Sequence, residues 1–264
     1  MNPMIRKELF QRMRERKGWI LPSLYLLVLA AVVCLVYHLD TAMGSAEPQG
    51  STIGVSVFVA STFTQLGVLL LLAPIFGAGS IAIEKEQHTL GGLLTSMLSP
   101  AQIWWGKFVS SLLYNLLLLV TALPILSVAF AFGGIGLWEL SIMALTTVII
   151  LATITAVSLF WSSAFRRSVH ATAVSYVTVI VLSAVTLIIF FVAYSISGKP
   201  EWLLLPAYVK APLYANPGFF MLMAFASPRN LYPHWVVCLL VFLTIGGASV
   251  FFAIRNLRRS GNVV

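Results

Sequence analysis

Residues 137–165 read LWELSIMALTTVIILATITAVSLFWSSAF, and the only charged side chain among them is Glu139, near the start. A helix that rises about 1.5 Å per residue needs about 20 apolar residues to cross roughly 30 Å of hydrocarbon. Similar runs occur at residues 19–39, 55–78, 108–132, 169–196 and 234–254. These runs are long and continuous, whereas the strands of membrane barrels alternate in polarity. The sequence therefore predicts an all-α membrane protein with six transmembrane helices.

The composition agrees with a lipid environment. Of the 264 residues, 59% are hydrophobic and 9% are charged, whereas soluble domains carry roughly 25% charged residues. The net charge of +8 is concentrated at the chain ends and in short loops beside the apolar runs. That placement is typical of membrane proteins, so the basic charge does not indicate a nucleic-acid partner.

The distribution of Lys and Arg predicts the orientation of the chain. Thirteen of the 16 basic residues lie in the N-terminal segment, the loops after the second and fourth spans, and the C-terminal tail. The other three are Lys199, Lys210 and Arg229. Basic residues accumulate on the cytoplasmic side, so both termini are expected to be cytoplasmic, as an even number of spans requires. The expected location is the bacterial inner membrane.

Residues 1–18 precede the first span and are too charged to insert into a bilayer. Ile5, Leu9 and Met13 recur every four residues, with Arg and Lys on other faces. This pattern predicts an amphipathic helix that lies on anionic headgroups. A solvated basic arm is the alternative.

Residues 197–233 form the longest extracytoplasmic loop. Within it, Asn216 and Pro217 suit the N-cap and first position of a helix, and residues 218–226 continue as GFFMLMAFA. A helix of this length is too short to cross a membrane and too apolar for water, so we expect a re-entrant helix. Phe219, Phe220 and Met223 are expected to form a gate on the extracytoplasmic side of a transport path.

Catalytic and metal-binding motifs are not evident. No predicted span carries a charged residue near its middle, and the mid-span polar groups are hydroxyls, Gln65 and Asn115. The histidines, at positions 38, 88, 170 and 234, lie near span ends and form no local metal motif. Cys34 and Cys238 suit small buried hydrophobes, although a disulfide between them remains open. We therefore expect no catalytic, metal or cofactor-binding residue in this chain.

Gly106-Lys107 does not belong to a phosphate-binding loop. The motif GxxxxGK[ST] requires glycine at position 101 and Ser or Thr at 108, where this chain has Ala101 and Phe108. If ATP drives this protein, another chain must hydrolyse it.

Residues 84–107, EKEQHTLGGLLTSMLSPAQIWWGK, join the second and third spans. Apolar side chains follow the i, i+3, i+4, i+7, i+8 spacing of an amphipathic helix: Leu90, Leu93, Leu94, Met97 and Leu98. Thr89 or the residues before it are placed to cap this helix, and Ser99-Pro100 to end it. Burial of each apolar side chain yields about 1.5–3 kcal/mol, so the stripe is expected to face lipid or a protein partner.

This segment resembles the loop between spans two and three of ABC type-2 exporter permeases, whose usual form is close to EKExGTLExLLxTPLSxxxIxxGK. The matching positions are Glu84-Lys85-Glu86, Thr89-Leu90, Leu93-Leu94, Ser99, Ile103 and Gly106-Lys107. His88 stands where glycine is usual, and Met97 where proline is usual. The layout is also similar: an N-terminal amphipathic helix, six spans, and short re-entrant helices before the last span.

The resemblance implies a coupling helix that docks in a groove of an ATP-binding-cassette ATPase subunit. The residues it places at that interface are Glu84, Lys85, Glu86, Thr89, Leu90, Leu93, Leu94, Met97 and Leu98. It also implies two ATPase copies, which hold ATP and Mg, and a second permease copy in a homodimer or heterodimer. The transported substrate stays open. An ATPase-driven scaffold or mechanotransmitter without transport, and an integral-membrane enzyme, are the alternatives.

Overall fold

The computed structural model describes residues 17–43, 50–87, 99–197, 207–225 and 232–261, and every regular element in these ranges is helical. The α-helices of the described residues are α1 (Lys17–Met43), α2 (Gly50–Glu86), α3 (Pro100–Thr121), α4 (Leu123–Phe132), α5 (Leu137–Ala164), α6 (Ser168–Ile180), α7 (Thr186–Ser197), α8 (Ala207–Tyr214), α9 (Pro217–Phe225) and α10 (Tyr232–Gly261). A π-helical turn, Val181–Val185, joins α6 to α7.

Six stretches of the described residues are long and apolar enough to cross a membrane: α1, α2, α3 with α4, α5, α6 with α7, and α10. They coincide with the six predicted spans, so the helical class and the number of spans are confirmed. The chain is a multi-pass membrane protein. The predicted amphipathic helix at residues 1–18 lies almost wholly outside the described residues and stays a prediction.

Helices α2 and α5 occupy the centre of the bundle. In the most apolar part of these helices, 50% and 56% of the residues are buried, against 11–22% for the other four spans. Helix α2 makes its most extensive contacts with α5, and α5 in turn packs against α10. The outer helices expose large apolar side chains, such as Leu187 and Phe191, as expected of surfaces that face lipid or another membrane protein.

Gly77 allows α2 and α5 to approach closely. A Cβ atom added at Gly77 would lie 2.7 Å from Ser158 Cβ and 3.4 Å from the Thr155 carbonyl oxygen. Small residues at such crossings bring helix backbones close enough for favourable van der Waals contact in membranes.

We expect Gly77→Ala to destabilise the bundle by about 1–3 kcal/mol, because the added methyl group forces α2 away from α5. Gly67→Ala is a matched control on the same helix, where an added Cβ meets nothing within 4 Å. That change is expected to be neutral or to stabilise by up to about 1 kcal/mol. The measurement is the free energy of unfolding of the purified chain in detergent. Equal effects of the two substitutions would contradict the close approach.

The third span differs from its prediction at two places. It was expected as one helix over residues 108–132, but helix α3 begins at Pro100 and ends at Thr121, and α4 begins at Leu123. The early start is fixed by Ser99, whose hydroxyl accepts from the Gln102 amide while its own N–H donates to Gln102 Oε1 at 2.8 Å. The break follows from Pro124, which has no N–H to donate to the backbone four residues earlier.

Candidate functional site

The predicted ATPase interface is described only in part. Glu84, Lys85 and Glu86 form the last turn of α2. The other six residues of that prediction lie outside the described residues: Thr89, Leu90, Leu93, Leu94, Met97 and Leu98. We call Glu84, Lys85, Glu86 and Lys107 the charged cluster, because their side chains meet neighbouring helices at one end of the bundle.

An ion pair joins the last turn of α2 to Lys107, which lies about two turns inside α3. Lys107 is 2% exposed, and its Nζ lies 2.7 Å from Glu84 Oε1. The same ammonium group donates to the Ser80 carbonyl at 2.8 Å. A charge buried to this extent costs free energy unless it is paired and hydrogen-bonded. The pair therefore joins the two helices between which residues 87–99 run.

The other two residues of the cluster contact α5 and α6. Lys85 Nζ donates to the Ser163 carbonyl near the end of α5. Glu86 Oε2 accepts from the Ser168 amide at 3.1 Å and from its hydroxyl at 2.7 Å. A carboxylate at the first turn of α6 also stabilises the positive end of the helix dipole. One turn of α2 is thus bonded to three different helices.

Two neighbouring helices also insert side chains into the backbone of α2. Ser162 Oγ accepts from the amides of both Ile81 and Ala82 at 2.9 Å, and Ser111 donates to the Phe76 carbonyl at 2.9 Å. Side chains that enter the i→i−4 ladder mark places where a helix bends. This end of α2 is therefore held by its neighbours as well as by its own hydrogen bonds.

The short helices before the last span form the second candidate region. The predicted cap of α9 is confirmed, because Asn216 Oδ1 accepts from the Phe219 amide at 2.9 Å and Pro217 is the first helical residue. The hydrogen bonds of the amide nitrogen of Asn216 were not predicted. Asn216 Nδ2 donates to the Ser183 carbonyl at 2.6 Å and to Thr186 Oγ1 at 2.8 Å. A single side chain thus ties α9 to the π-helical turn of the fifth span.

The three predicted gate residues are buried. Phe219, Phe220 and Met223 are 7%, 0% and 6% exposed. The Phe220 ring lies 5.1 Å from that of Phe242 and 5.9 Å from that of Trp235, both on α10. Helix α9 also packs against α5. The apolar segment is therefore enclosed by spans instead of facing water, which fits a helix inserted at membrane depth.

Helix α8 is linked to α10 by a polar contact. Tyr214 Oη lies 2.8 Å from His234 Nδ1, and the two rings stack with a centroid distance of 5.9 Å. Burial raises the pKa of the Tyr214 phenol, so the phenol keeps its proton and can donate a hydrogen bond to the imidazole.

The cysteines are not bonded to each other. Cys34 is an exposed free thiol, so its prediction as a small buried hydrophobe is wrong, whereas Cys238 is buried as predicted. Neither cysteine is bonded, so the disulfide that the sequence left open is absent. Within the described ranges, no group of three or more His, Cys, Asp or Glu side chains is placed to hold a metal ion.

Sequence reasoning included Lys107 in the motif but missed its partner, and it missed Ser162, Ser168 and the second role of Asn216. The contacts of Lys107, Ser162 and Ser168 join residues that are 23 to 82 positions apart. Glu84 and Lys107 both belong to the segment at residues 84–107, but its pattern does not show that they bond to each other, and no local pattern contains the pairs of Ser162 and Ser168. The available signal was the position of Lys107 directly before the predicted third span, because a buried lysine requires a partner.

Comparison with known proteins identifies the family. The chain matches the family model of the ABC-2 family transporter proteins over residues 3–255, which include every helix that contributes to the charged cluster and the helices around α9. The search of curated proteins found no significant match to the chain. A match over almost the entire sequence shows the family: this chain belongs to the ABC-2 family of transporter proteins.

Proposed function

We propose that this chain is the membrane-spanning subunit of an ATP-driven exporter. Membrane proteins of the ABC-2 family generally partner with ABC ATPases, and the family domain is not itself an ATPase. The proposed complex contains two ATPase copies, which bind ATP and Mg, and a second permease copy. It lies in the bacterial inner membrane with both termini cytoplasmic.

The observation that supports this function best is the bonding of the helices on either side of residues 87–99. The Glu84–Lys107 pair joins the two helices on either side of that segment. Lys85 and Glu86 join the same turn to α5 and α6. A partner that displaces this segment would therefore move four connected helices together: α2, α3, α5 and α6. This is the mechanical requirement for coupling ATP binding to a movement of the transport path.

The proposed extracytoplasmic gate is α9, with Phe219, Phe220 and Met223 as the closing side chains. Asn216 ties this helix to the π-helical turn, so a displacement of the fifth span would be passed to α9. Such turns are frequent at functional sites. Transport then requires movement at both ends of the bundle.

The experiment that tests the function is purification of the affinity-tagged chain from its native membrane in a mild detergent. We expect an ABC ATPase in equal amount and ATP turnover that rises on reconstitution into vesicles. Recovery of the folded chain without any ATPase, with and without ATP and Mg, would contradict the proposal. Failure of the active complex to move any substrate into vesicles would instead favour the scaffold or mechanotransmitter.

The orientation is tested by single cysteines in a chain in which Cys34 and Cys238 have been replaced by alanine. Cysteines at Ala46 and Lys199 are expected to react with an impermeant thiol reagent added outside cells, because thirteen of the 16 basic residues lie on the other side. Cysteines at Gln87 and Ser260 are expected to react only after the membrane is permeabilised. The reverse pattern would show that the termini are extracytoplasmic.

A further inference from the structure

A cavity of about 200 Å³ lies within the bundle between α2, α3, α4 and α5. It adjoins the break in the third span, where α3 ends at Thr121 and α4 begins at Leu123. Two of its lining residues, Val120 and Leu123, are 59% and 47% exposed. The cavity therefore opens to the outer surface of the bundle beside this break. Interrupted membrane helices commonly line ligand sites.

The polar groups of the cavity are Thr62, Gln65 and Thr147, and the rest of its lining is apolar. Both threonines donate to carbonyls of their own helices, at 2.7 Å and 2.9 Å. Gln65 is 3% exposed, and its Oε1 accepts no hydrogen bond from the described residues. A buried amide oxygen without a donor is costly, so Gln65 Oε1 is the atom whose hydrogen-bonding capacity a ligand would complete.

Gln65 lies near the middle of α2 and of the apolar run at residues 55–78. Because the cavity opens beside Val120 and Leu123 on the outer surface of the bundle, a ligand reaches it through the lipid phase. A charged ligand is disfavoured because the apolar lining offers its charge no partner. The volume is also below the roughly 300–1,000 Å³ of sites for drug-sized ligands.

We propose that this cavity is a binding site for a neutral amphiphile. Its slender apolar body would lie among Leu119, Leu123 and Leu126, and its hydroxyl or amide group would bond to the Gln65 amide. This binding does not depend on the proposed transport function. The ligand is either a small alcohol or amide dissolved in the membrane, or a neutral lipid that inserts one chain through the opening.

The test uses the full chain in phosphatidylcholine nanodiscs with a diazirine-bearing octanol as the probe. After illumination, we expect adducts on cavity residues such as Phe58, Leu119 and Met143, mapped by mass spectrometry. Excess 1-octanol should remove these adducts, whereas n-octane and ionised octanoate should compete at least about five-fold less well, because neither supplies a neutral hydroxyl. Competition by diolein would assign the ligand to the lipids, and competition by short alcohols alone would assign it to small solutes.

Variants separate binding from folding. Gln65→Leu is expected to weaken octanol binding about five-fold and to raise the thermal unfolding midpoint of the ligand-free chain by about 2–4 °C, because an unpartnered amide is removed. Ala144→Leu leaves Gln65 intact but fills the cavity, and it should abolish the labelling. Ala152→Leu, on the same helix and also partly buried, is the matched control that should retain it.

Two outcomes would overturn the proposal. One is labelling spread evenly over lipid-facing residues and unchanged in Ala144→Leu. The other is competition by n-octane equal to that by 1-octanol, together with unchanged affinity in Gln65→Leu, which would reduce the cavity to a lipid-filled gap.

Discussion

Replacing Leu93 or Leu94 by aspartate is expected to release the ATPase subunit from the purified complex. Both leucines belong to the apolar stripe at residues 90–98, which lies outside the described residues but between two helices that the charged cluster joins. If the stripe contacts a partner, an aspartate there is desolvated without a counter-charge. That penalty amounts to several kcal/mol, and about 1.4 kcal/mol already weakens binding ten-fold.

The measurement is co-purification of the ATPase together with ATP turnover of the reconstituted complex. The permease should still insert into the membrane, because neither residue lies in a span. Thr95→Asp is the matched control: it adds the same charge to the same segment but on the other face of the predicted helix. We expect this control to retain the ATPase. Normal assembly and normal turnover in both leucine variants would show that the stripe faces lipid, and the exporter function would lose its main support.

The spans were predictable because apolar length is a local property. The cap of α9 was predictable for the same reason, since Asn216 and Pro217 are adjacent. The break in the third span occurs at Pro124, but a proline within an apolar run does not by itself predict a break. Pro22 and Pro74 lie inside α1 and α2, and both of these helices continue through them.

The π-helical turn was not predictable from its own residues, VLSAV, which contain neither glycine nor proline. Its Ser183 carbonyl is bonded to Asn216, 33 positions further along the chain. Similarly, the sequence predicts that Glu84 and Glu86 contact the ATPase, and the structure shows that each is bonded within the chain. Whether they also contact the ATPase stays a prediction. The sequence alone does not distinguish a carboxylate that bonds within its own chain from one that bonds to a partner.

The cavity at Gln65 illustrates a further limit. Gln65 was recognised as an unusual polar residue within a span, but its surroundings depend on how four helices pack. A membrane glutamine bonded to a neighbouring helix and one facing a cavity have the same sequence context. Only the packing shows that the two threonines near it are satisfied and that Gln65 is not.

Lys107→Met is expected to cause the largest loss of stability within the chain, about 3–5 kcal/mol in the free energy of unfolding. Methionine has a shape similar to the buried methylene chain of lysine, so the loss of stability measures the contribution of the charge. Without the ammonium group, the Glu84 carboxylate and the Ser80 carbonyl both lose a donor, and breaking a buried pair from one side typically costs this much. Lys85→Met is the matched control in the same cluster. Among the described residues, Lys85 Nζ donates to a carbonyl and to no carboxylate, so we expect a loss of only about 1 kcal/mol.

The double variant Glu84→Gln with Lys107→Met separates the pair from other effects of the methionine. Glutamine carries no charge that requires a partner, so the double variant should recover at least about 1 kcal/mol of the stability lost in Lys107→Met alone. The free energies of unfolding of the four chains, purified in the same detergent, give the coupling energy directly. Additive effects of the two substitutions would show that the pair is energetically silent. In that case, the ends of α2 and α3 would be joined only by their packing, and a displacement of residues 87–99 would have no rigid connection through which to move both spans.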